Sequence, residues 1–126
     1  MSDLEAIRTL ANRFFDSVVT GDLAAIQDSY APNAVIWHNT DKIEQSREDN
    51  LRTLRFVVGM LRERSYDQRR LEVFPGGFVQ QHVLNAVRQD GKKVSLEACI
   101  VARVENGKIT RLDEYLDRAA TAALTA

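Results

Sequence analysis

Residues 94–116 read VSLEACIVARVENGKITRLDEYL, and this stretch decides the fold. Through residue 105, apolar side chains alternate with mostly polar or small ones, which is typical of a β-strand that buries one face. Asn106-Gly107 is a strong signal for a tight hairpin turn, because both central positions of that turn need a positive φ. Lys108–Leu116 then gives a second strand. We therefore expect two long antiparallel strands joined by a two-residue turn.

The residues before this hairpin predict further strands. After Ser65 the spacing of apolar residues changes from about 3.6 to 2, which indicates a change from helix to strand. Pro75-Gly76-Gly77 predicts a turn, residues 78–87 predict the next strand, and Asp90-Gly91 closes it. We therefore expect the second half of the chain to form an antiparallel meander.

The first residues predict two helices. Ser2 and Glu5 form a capping box, and apolar residues follow at helical spacing. Gly21 predicts a left-handed stop, and Asp22 predicts the N-cap of a second helix. Pro32 follows closely and ends that helix.

A short strand, a loop and a third helix connect the two halves. Residues 34–37 are apolar and rich in β-formers, and residues 40–45 form a polar loop. Ser46 predicts the N-cap of a third helix, whose apolar stripe is Leu51, Leu54, Val58 and Leu61. Helices followed by a meander predict an α+β fold with the helices on one face of the sheet. The hollow between these layers is the natural place for a functional site.

Composition limits the possible functions. The 126 residues carry 17 Lys and Arg against 18 Asp and Glu, so the net charge of −1 argues against nucleic-acid binding. The length suits one domain over residues 1–126, and no apolar run approaches the roughly 18 residues of a membrane span. The acidic start lacks a secretory signal, so we expect a cytoplasmic protein. With one cysteine and two histidines, we expect no internal disulfide and no metal site.

Six motifs are spread over the whole chain: Phe14-Phe15, Thr20-Gly21-Asp22-Leu23, Tyr30-Ala31-Pro32-Asn33-Ala34-Val35, Asp90-Gly91-Lys92, Glu105-Asn106-Gly107-Lys108-Ile109 and Glu114-Tyr115-Leu116-Asp117. Together they resemble the nuclear-transport-factor-two-like superfamily, in particular its SnoaL-like and ketosteroid-isomerase-like branch. The resemblance implies a cone-shaped roll, with three N-terminal helices packed in the concave face of a strongly curved, mostly antiparallel sheet. It also implies a homodimer through the outer sheet face. The superfamily includes isomerases, polyketide cyclases, epoxide hydrolases, dehydratases and proteins without catalysis, so the fold alone does not choose a reaction.

The resemblance also indicates two candidate catalytic residues. His38 stands where an isomerase of this type keeps its general-base carboxylate, and a histidine suits proton transfer near neutral pH. Phe14 and Ile100 stand where that isomerase has the Tyr and protonated Asp of its oxyanion hole, so we do not expect steroid isomerisation by that mechanism. Glu114 falls on a catalytic carboxylate position of the epoxide-hydrolase branch, whose companion Arg and Asp have no counterpart among residues 83–86. SnoaL-like cyclases remain closest by elimination.

Each candidate also has a purely structural interpretation. His38 can simply end a strand and bond a loop, and Glu114 can lie at a sheet edge where it reaches water or an arginine. Asn39 and Asp41 can orient the imidazole as a second layer, but they are also ordinary turn residues, which is the interpretation we favour.

The strand over residues 78–87 leaves two arrangements open, because it carries polar residues on both faces. In the preferred arrangement Gln81 and Asn85 face the pocket, while His82 lies on the outer surface. A one-residue slip or bulge would exchange these sets and make His82 a second catalytic candidate. Cys99 is expected to pack inertly on the outer face.

We therefore expect a cofactor-independent acid–base enzyme of the isomerase, cyclase or dehydratase type. His38 acts as base or acid on a small apolar, carbonyl-bearing or polycyclic substrate, with Glu114 as its partner or as the complementary acid. The expected pocket residues are Phe14, Tyr30, Leu54, Val58, Gln81, Asn85, Ile100 and Leu116. The alternative is a non-catalytic domain that binds a small ligand or another protein.

Overall fold

The computed structural model describes residues 3–124 and confirms the predicted order of helices followed by strands. The elements are α1 (Asp3–Thr20), α2 (Leu23–Ser29), β1 (Tyr30–His38), β2 (Glu44–Ser46), α3 (Arg47–Met60), β3 (Leu61–Phe74), β4 (Gly77–Arg88), β5 (Lys93–Glu105), β6 (Lys108–Leu116) and α4 (Arg118–Ala122). The capping box predicted at Ser2 lies outside the described residues.

A six-stranded sheet in the order β2-β1-β6-β5-β4-β3 organises the molecule. Neighbouring strands are antiparallel except for β1 and β6, which run parallel. The fold is therefore the predicted α+β class, with helices against a curved, open and mostly antiparallel sheet. Because β1 and β6 run parallel, their C-terminal ends lie side by side, with His38 opposite Glu114.

The main core lies between α1 and the sheet. Helix α1 buries most of the apolar face that its helical spacing predicts, including Phe14, and also Phe15. Leu4, at the start of that face, is 42% exposed. The Phe15 ring contacts Phe14 edge to face, with centroids 5.2 Å apart, and meets Phe78 of β4 at 6.0 Å. This packing joins the first helix to β4, the strand next to the edge strand β3.

The local capping and turn signals are confirmed. Gly21 adopts a φ of +77° just after α1, and a side-chain oxygen of Asp22 accepts the amide hydrogen three residues on, at 3.1 Å. The Ser46 hydroxyl accepts the corresponding hydrogen bond at the start of α3, also at 3.1 Å. Asn106 and Gly107 have φ values of +51° and +75°, as a two-residue hairpin turn requires.

The third helix is shorter than predicted, because Leu61 is the fully buried first residue of β3. Hydrogen bonds from Arg64 stabilise the chain at this change from helix to strand. Its guanidinium donates to the carbonyls of Val18 and Val19 at the end of α1, at 3.1 and 3.0 Å, and of Val58 near the end of α3, at 3.1 Å. It thus takes up carbonyls that helix ends leave unpaired.

Two strands also differ from the sequence interpretation. The first strand covers Tyr30–His38 instead of residues 34–37, and β2 occupies the end of the predicted loop at 40–45. The short edge strand β2 forms by pairing with β1, so it depends on a tertiary contact more than on local propensity.

The preferred arrangement of β4, with Gln81 and Asn85 facing the pocket and His82 on the outer surface, is wrong. Pairing with β5 is regular over the length of the strand, without a bulge, so Phe78, Gln80 and His82 share one face. All three are buried. Gln81 is exposed, and Asn85 donates to an Asp67 oxygen at 2.7 Å. The fully buried Phe78 ring fixes this face toward the core, so Gln81 and Asn85 point away from it.

Candidate active site

His38 and Glu114 form the centre of the candidate site. They are paired residues of the parallel strands β1 and β6, so their side chains leave the same face of the sheet. His38 Nε2 lies 3.1 Å from Glu114 Oε1, and the two side chains are 18% and 20% exposed. The sequence indicated both residues by resemblance, and the fold brings them into direct contact.

Asn39 holds the two strand ends together. Its side chain donates to the Leu116 carbonyl at 3.1 Å and accepts from the Leu116 amide at 2.8 Å. Its own amide donates to the Glu114 carbonyl at 3.1 Å. Asp41 accepts from the Ile43 amide at 3.0 Å, which is a turn contact. Asn39 therefore positions the main chain beside Glu114, while Asp41 shapes the following turn.

The pKa of His38 reflects two opposing influences. Burial disfavours the charged imidazolium and lowers the pKa. The hydrogen bond to Glu114, the negative charge of Glu114 and the charge of Asp41 raise it, and together they outweigh burial. The net result is a His38 pKa above its ordinary value of 6.5. The pair can therefore hold and release a proton near neutral pH.

A small cavity of about 40 Å³ lies beside this pair. Its walls are mostly apolar and come from α1, β1, α3, β3, β5 and β6: Phe14, Val18, Tyr30, Ile36, His38, Asn50, Leu54, Tyr66, Ile100, Leu112 and Glu114. This space holds a few water molecules or a compound of about three or four non-hydrogen atoms. It is much smaller than the roughly 300 Å³ at which pockets for drug-sized ligands begin.

The expected pocket residues divide into two groups. Phe14, Tyr30, Leu54 and Ile100 do line the cavity. The other four do not: Val58, Gln81, Asn85 and Leu116. Val58 packs instead toward Gly21, next to the Arg64 guanidinium.

A chain of hydrogen bonds connects the cavity to its rim. The buried Tyr30 hydroxyl donates to Asn50 Oδ1 at 2.9 Å, and the Asn50 amide donates to Gln45 at 3.2 Å. Asn50 is the residue that α3 buries most completely, with 3% exposed. The start of α3 is thereby fixed over the cavity by polar contacts.

Several cavity residues were not predicted from the sequence, and Tyr66 shows most clearly why. It lies in a segment rich in charged residues, close to Arg64, Asp67 and Arg69. Two irregularities in the pairing of β3 with β4 hide its orientation, because each one shifts the alternation of side chains. The signal that remains in the sequence is an isolated aromatic residue among charged ones. Asn50 gave no comparable signal.

His82 lies in the core behind the cavity and does not line it, so neither arrangement of β4 placed it correctly. It is 3% exposed, and Gln80 Nε2 lies 2.9 Å from its Nδ1. Its ring lies 5.5 Å from Phe15 and 4.3 Å from Tyr66, centroid to centroid. Burial lowers the pKa of His82, and although the charge of Glu114 opposes this, the net shift is downward.

Two further findings concern metal binding and membrane spanning within residues 3–124. This part of the chain has no group of three or more His, Cys, Asp or Glu side chains arranged to hold a metal ion. In the same range, no helix is long and apolar enough to cross a membrane. Cys99 is a free, half-buried thiol on the outer sheet face.

Comparisons with known proteins agree with the fold. The model of the SnoaL-like domain family matches residues 11–112. Since this match covers most of the sequence, the chain belongs to the SnoaL-like domain family. No curated protein matches the sequence.

Solved structures resemble the chain over nearly its whole length. A proposed polyketide cyclase from Xanthomonas campestris pv. campestris has a TM-score of 0.87 at 14% identity, covering 99% of this chain and 100% of that one. AclR, a proposed hydroxylase from Streptomyces galilaeus, has a TM-score of 0.85 at 14% identity and covers 97% of each chain. A ketosteroid-isomerase-like protein from Catenulispora acidiphila in complex with trimethylamine has a TM-score of 0.79 at 9% identity, covering 92% and 91%. At such identities the similarity establishes the fold and leaves the reaction open.

Proposed function

We propose that the protein is a cofactor-independent acid–base enzyme that moves a proton next to a carbonyl group. One observation carries the proposal: His38 Nε2 and Glu114 Oε1 lie 3.1 Å apart in the wall of a mostly apolar cavity. A mostly apolar wall that holds a hydrogen-bonded acid–base pair is the expected setting for general acid–base chemistry.

The hydrogen bond assigns a role to each member of the pair. In neutral His38, Nε2 carries the proton that Glu114 accepts, so the lone pair is on Nδ1. Nδ1 takes a proton from the carbon next to the substrate carbonyl, and the electron pair of that C–H bond becomes part of an enolate. Glu114 stabilises the imidazolium that forms, as a carboxylate does behind a catalytic histidine. Return of the proton at the same or another position completes an exchange or an isomerisation.

The cavity volume narrows the substrate class. A volume of about 40 Å³ suits a compound of about three or four non-hydrogen atoms better than a polycyclic one. Small ketones and aldehydes fit both the size and the chemistry. We therefore propose a small carbonyl compound as substrate, in preference to the polycyclic class.

The test is hydrogen–deuterium exchange of small ketones in heavy water, followed by proton NMR. We expect the protein to accelerate loss of the α-proton signal of acetone, and His38→Gln to remove at least nine tenths of that acceleration. Asp113→Asn is the matched control, because Asp113 neighbours Glu114 on β6 but is held by Arg111 at 3.0 Å. Full exchange by the His38 variant would overturn the proposal.

A second candidate function is non-catalytic binding of a small amine. The cavity wall combines three aromatic rings, those of Phe14, Tyr30 and Tyr66, with the Glu114 carboxylate, and this combination attracts alkylammonium ions. The structural neighbour that contains trimethylamine supports the same possibility. NMR titration with trimethylammonium tests it. Saturable binding that Glu114→Gln abolishes, without any ketone exchange, would favour this function over catalysis.

We also propose that two copies associate through the outer face of the sheet. A shallow groove of about 580 Å³ crosses this face, and its lining includes Gln81, Cys99 and Tyr115. Tyr115 is 46% exposed and contacts Trp37, with ring centroids 5.4 Å apart. Sedimentation velocity at micromolar concentration should give twice the chain mass. Tyr115→Arg should give a monomer, whereas Phe56→Arg, on the exposed face of α3, should not. A monomeric wild type would contradict the association.

A further inference from the structure

We propose that the Tyr66 hydroxyl is the hydrogen-bond donor that receives the substrate carbonyl oxygen. The inference rests on the proposed proton-transfer function and adds a catalytic residue to it. Removing a proton next to a carbonyl places negative charge on the oxygen, and a donor aimed at that oxygen lowers the barrier. The residues that would supply it by resemblance are apolar here, since Phe14 and Ile100 both line the cavity.

Two other polar groups of the cavity wall have their protons engaged elsewhere. The His38 Nε2 hydrogen is donated to Glu114, and the Tyr30 hydroxyl donates to Asn50 at 2.9 Å. The Tyr66 hydroxyl makes no hydrogen bond to any residue between 3 and 124, although Tyr66 lines the same cavity. Tyr66 is therefore the wall residue with a hydroxyl donor still available.

The backbone of β3 is shaped around this residue. Pairing with β4 is regular from Ser65 to Asp67 and shifts on either side of that segment. Glu63 and Gln68, which flank it, have φ values of +52° and +54°, which is uncommon for residues other than glycine. Bulges that redirect a side chain are frequent next to active sites. Two of them bracket the segment that points Tyr66 into the cavity.

Aromatic packing fixes the ring from behind. Phe15 meets the Tyr66 ring edge to face, with centroids 5.5 Å apart, and the His82 ring lies at 4.3 Å. His82 is itself held by Gln80 at 2.9 Å. Gln80 and His82 are therefore positioning residues: they act through Tyr66 and do not line the cavity.

The electrostatic setting keeps the hydroxyl protonated. Burial and the negative charge of Glu114 both raise the pKa of Tyr66, and the positive charges of Arg64 and Arg69 oppose them only in part. Tyr66 thus stays protonated, and remains a hydrogen-bond donor, at neutral pH.

The complete step is balanced within this site. His38 Nδ1 takes the α-proton, the C–H electron pair forms the carbon–carbon double bond, and the carbonyl π electrons move to oxygen. The oxygen accepts the Tyr66 hydrogen bond without taking its proton. When the proton returns to carbon, the carbonyl reforms and the enzyme is restored.

The experiment measures exchange and binding in parallel on Tyr66→Phe, which keeps the ring and its packing. Exchange is measured with acetone in heavy water. Binding is measured by NMR titration with acetate, a planar oxyanion of the same size as the acetone enolate. Tyr115→Phe, which removes a hydroxyl from the exposed outer face, is the matched control. We expect Tyr66→Phe to lower kcat for exchange roughly 100-fold and to weaken acetate binding at least tenfold, with the control unchanged.

The outcomes separate this inference from the proposed function. If acetone exchange depends on His38 but Tyr66→Phe behaves like Tyr115→Phe, the Tyr66 inference is wrong and the proposed function stands. If acetate binding depends on Tyr66 while the wild type exchanges no ketone, the donor is supported and proton transfer is wrong. If the wild type neither exchanges acetone nor binds acetate, both are overturned.

Discussion

At the scale of single residues, the hydrogen bond between His38 and Glu114 controls when the imidazole holds its proton. In Glu114→Gln the negative charge is gone, so only the charge of Asp41 still opposes burial, and the His38 pKa should fall below its wild-type value. Titration of the two imidazoles by NMR measures this directly. An unchanged midpoint for His38 in the variant would contradict the assigned role of Glu114.

The same pair makes stability depend on pH in a defined direction. The pKa of His38 is raised in the folded protein. Its contribution to the free energy of unfolding is therefore complete below the unfolded pKa of about 6.5, and it is lost as pH rises through the folded pKa. A double-mutant cycle of His38→Gln and Glu114→Gln should give a coupling free energy of about 1–2 kcal/mol near pH 6. The coupling should be smaller near pH 9, as measured by urea unfolding. Equal coupling at both pH values would argue against the ion pair.

His82 should give the opposite pH dependence, because its folded pKa is lowered. Once pH falls below about 6.5, the unfolded chain binds a proton that the folded chain resists, so the free energy of unfolding decreases. His82→Gln removes this effect while keeping an amide beside Gln80. Between about pH 7 and 5, the wild type should lose stability relative to this variant by at most about 1.4 kcal/mol per pH unit. Urea unfolding of both proteins at the two pH values tests it, and parallel curves would contradict it.

At the scale of secondary-structure elements, two glycines allow the same substitution to act in opposite directions. Gly107 has a φ of +75° in the β5–β6 turn, whereas Gly59 lies within α3, and an added Cβ at either position meets no atom within 4 Å. Gly107→Ala should therefore cost about 1–2 kcal/mol through backbone strain alone. Gly59→Ala should gain about 0.5–1 kcal/mol through helix propensity. Urea unfolding gives both values, and the same sign for both would refute the explanation.

Secondary-structure elements that depend on neighbouring residues were predicted from the sequence, and those that depend on distant contacts were not. Caps and turns at Asp22, Ser46 and Asn106-Gly107 were predicted because each needs only neighbouring residues. Strand β2 was not, because it exists only by pairing with β1. The alternation in β4 grouped its residues correctly, but propensity did not say which group faces the helices. That choice depends on the Phe78 contact with α1.

The candidate site was predictable to a similar degree. His38 and Glu114 came from a resemblance to known proteins, since nothing local joins two residues at the ends of distant strands. Tyr66 could not be placed, because the bulges on either side of it interrupt the alternation. The small volume of the cavity was also beyond the sequence, since it depends on how closely Leu54 and the aromatic rings approach one another.

At the scale of the whole molecule, the cavity is a gap between the helices and the sheet, and its size should respond to α3. Leu54 lines the cavity from α3, so Leu54→Ala should enlarge it at a cost of about 2 kcal/mol. We expect the variant to bind ketones larger than acetone, such as 3-pentanone, more tightly than the wild type does, as measured by NMR titration. Val57→Ala is the control, because Val57 packs against a separate cluster around Leu61. An equal gain in that control would contradict the assignment.

The order of the strands has a consequence for synthesis of the chain. Strand β6 lies between β1 and β5, and Asn39 bonds to a residue 77 positions later. During translation, β1 emerges early and must wait for its partner until nearly all the described residues have left the ribosome. The hairpins of β3, β4 and β5 can form meanwhile, since neighbouring segments meet first. The His38–Glu114 contact would thus form last, when β6 enters the sheet, and under the proposed function an unfinished chain would be inactive.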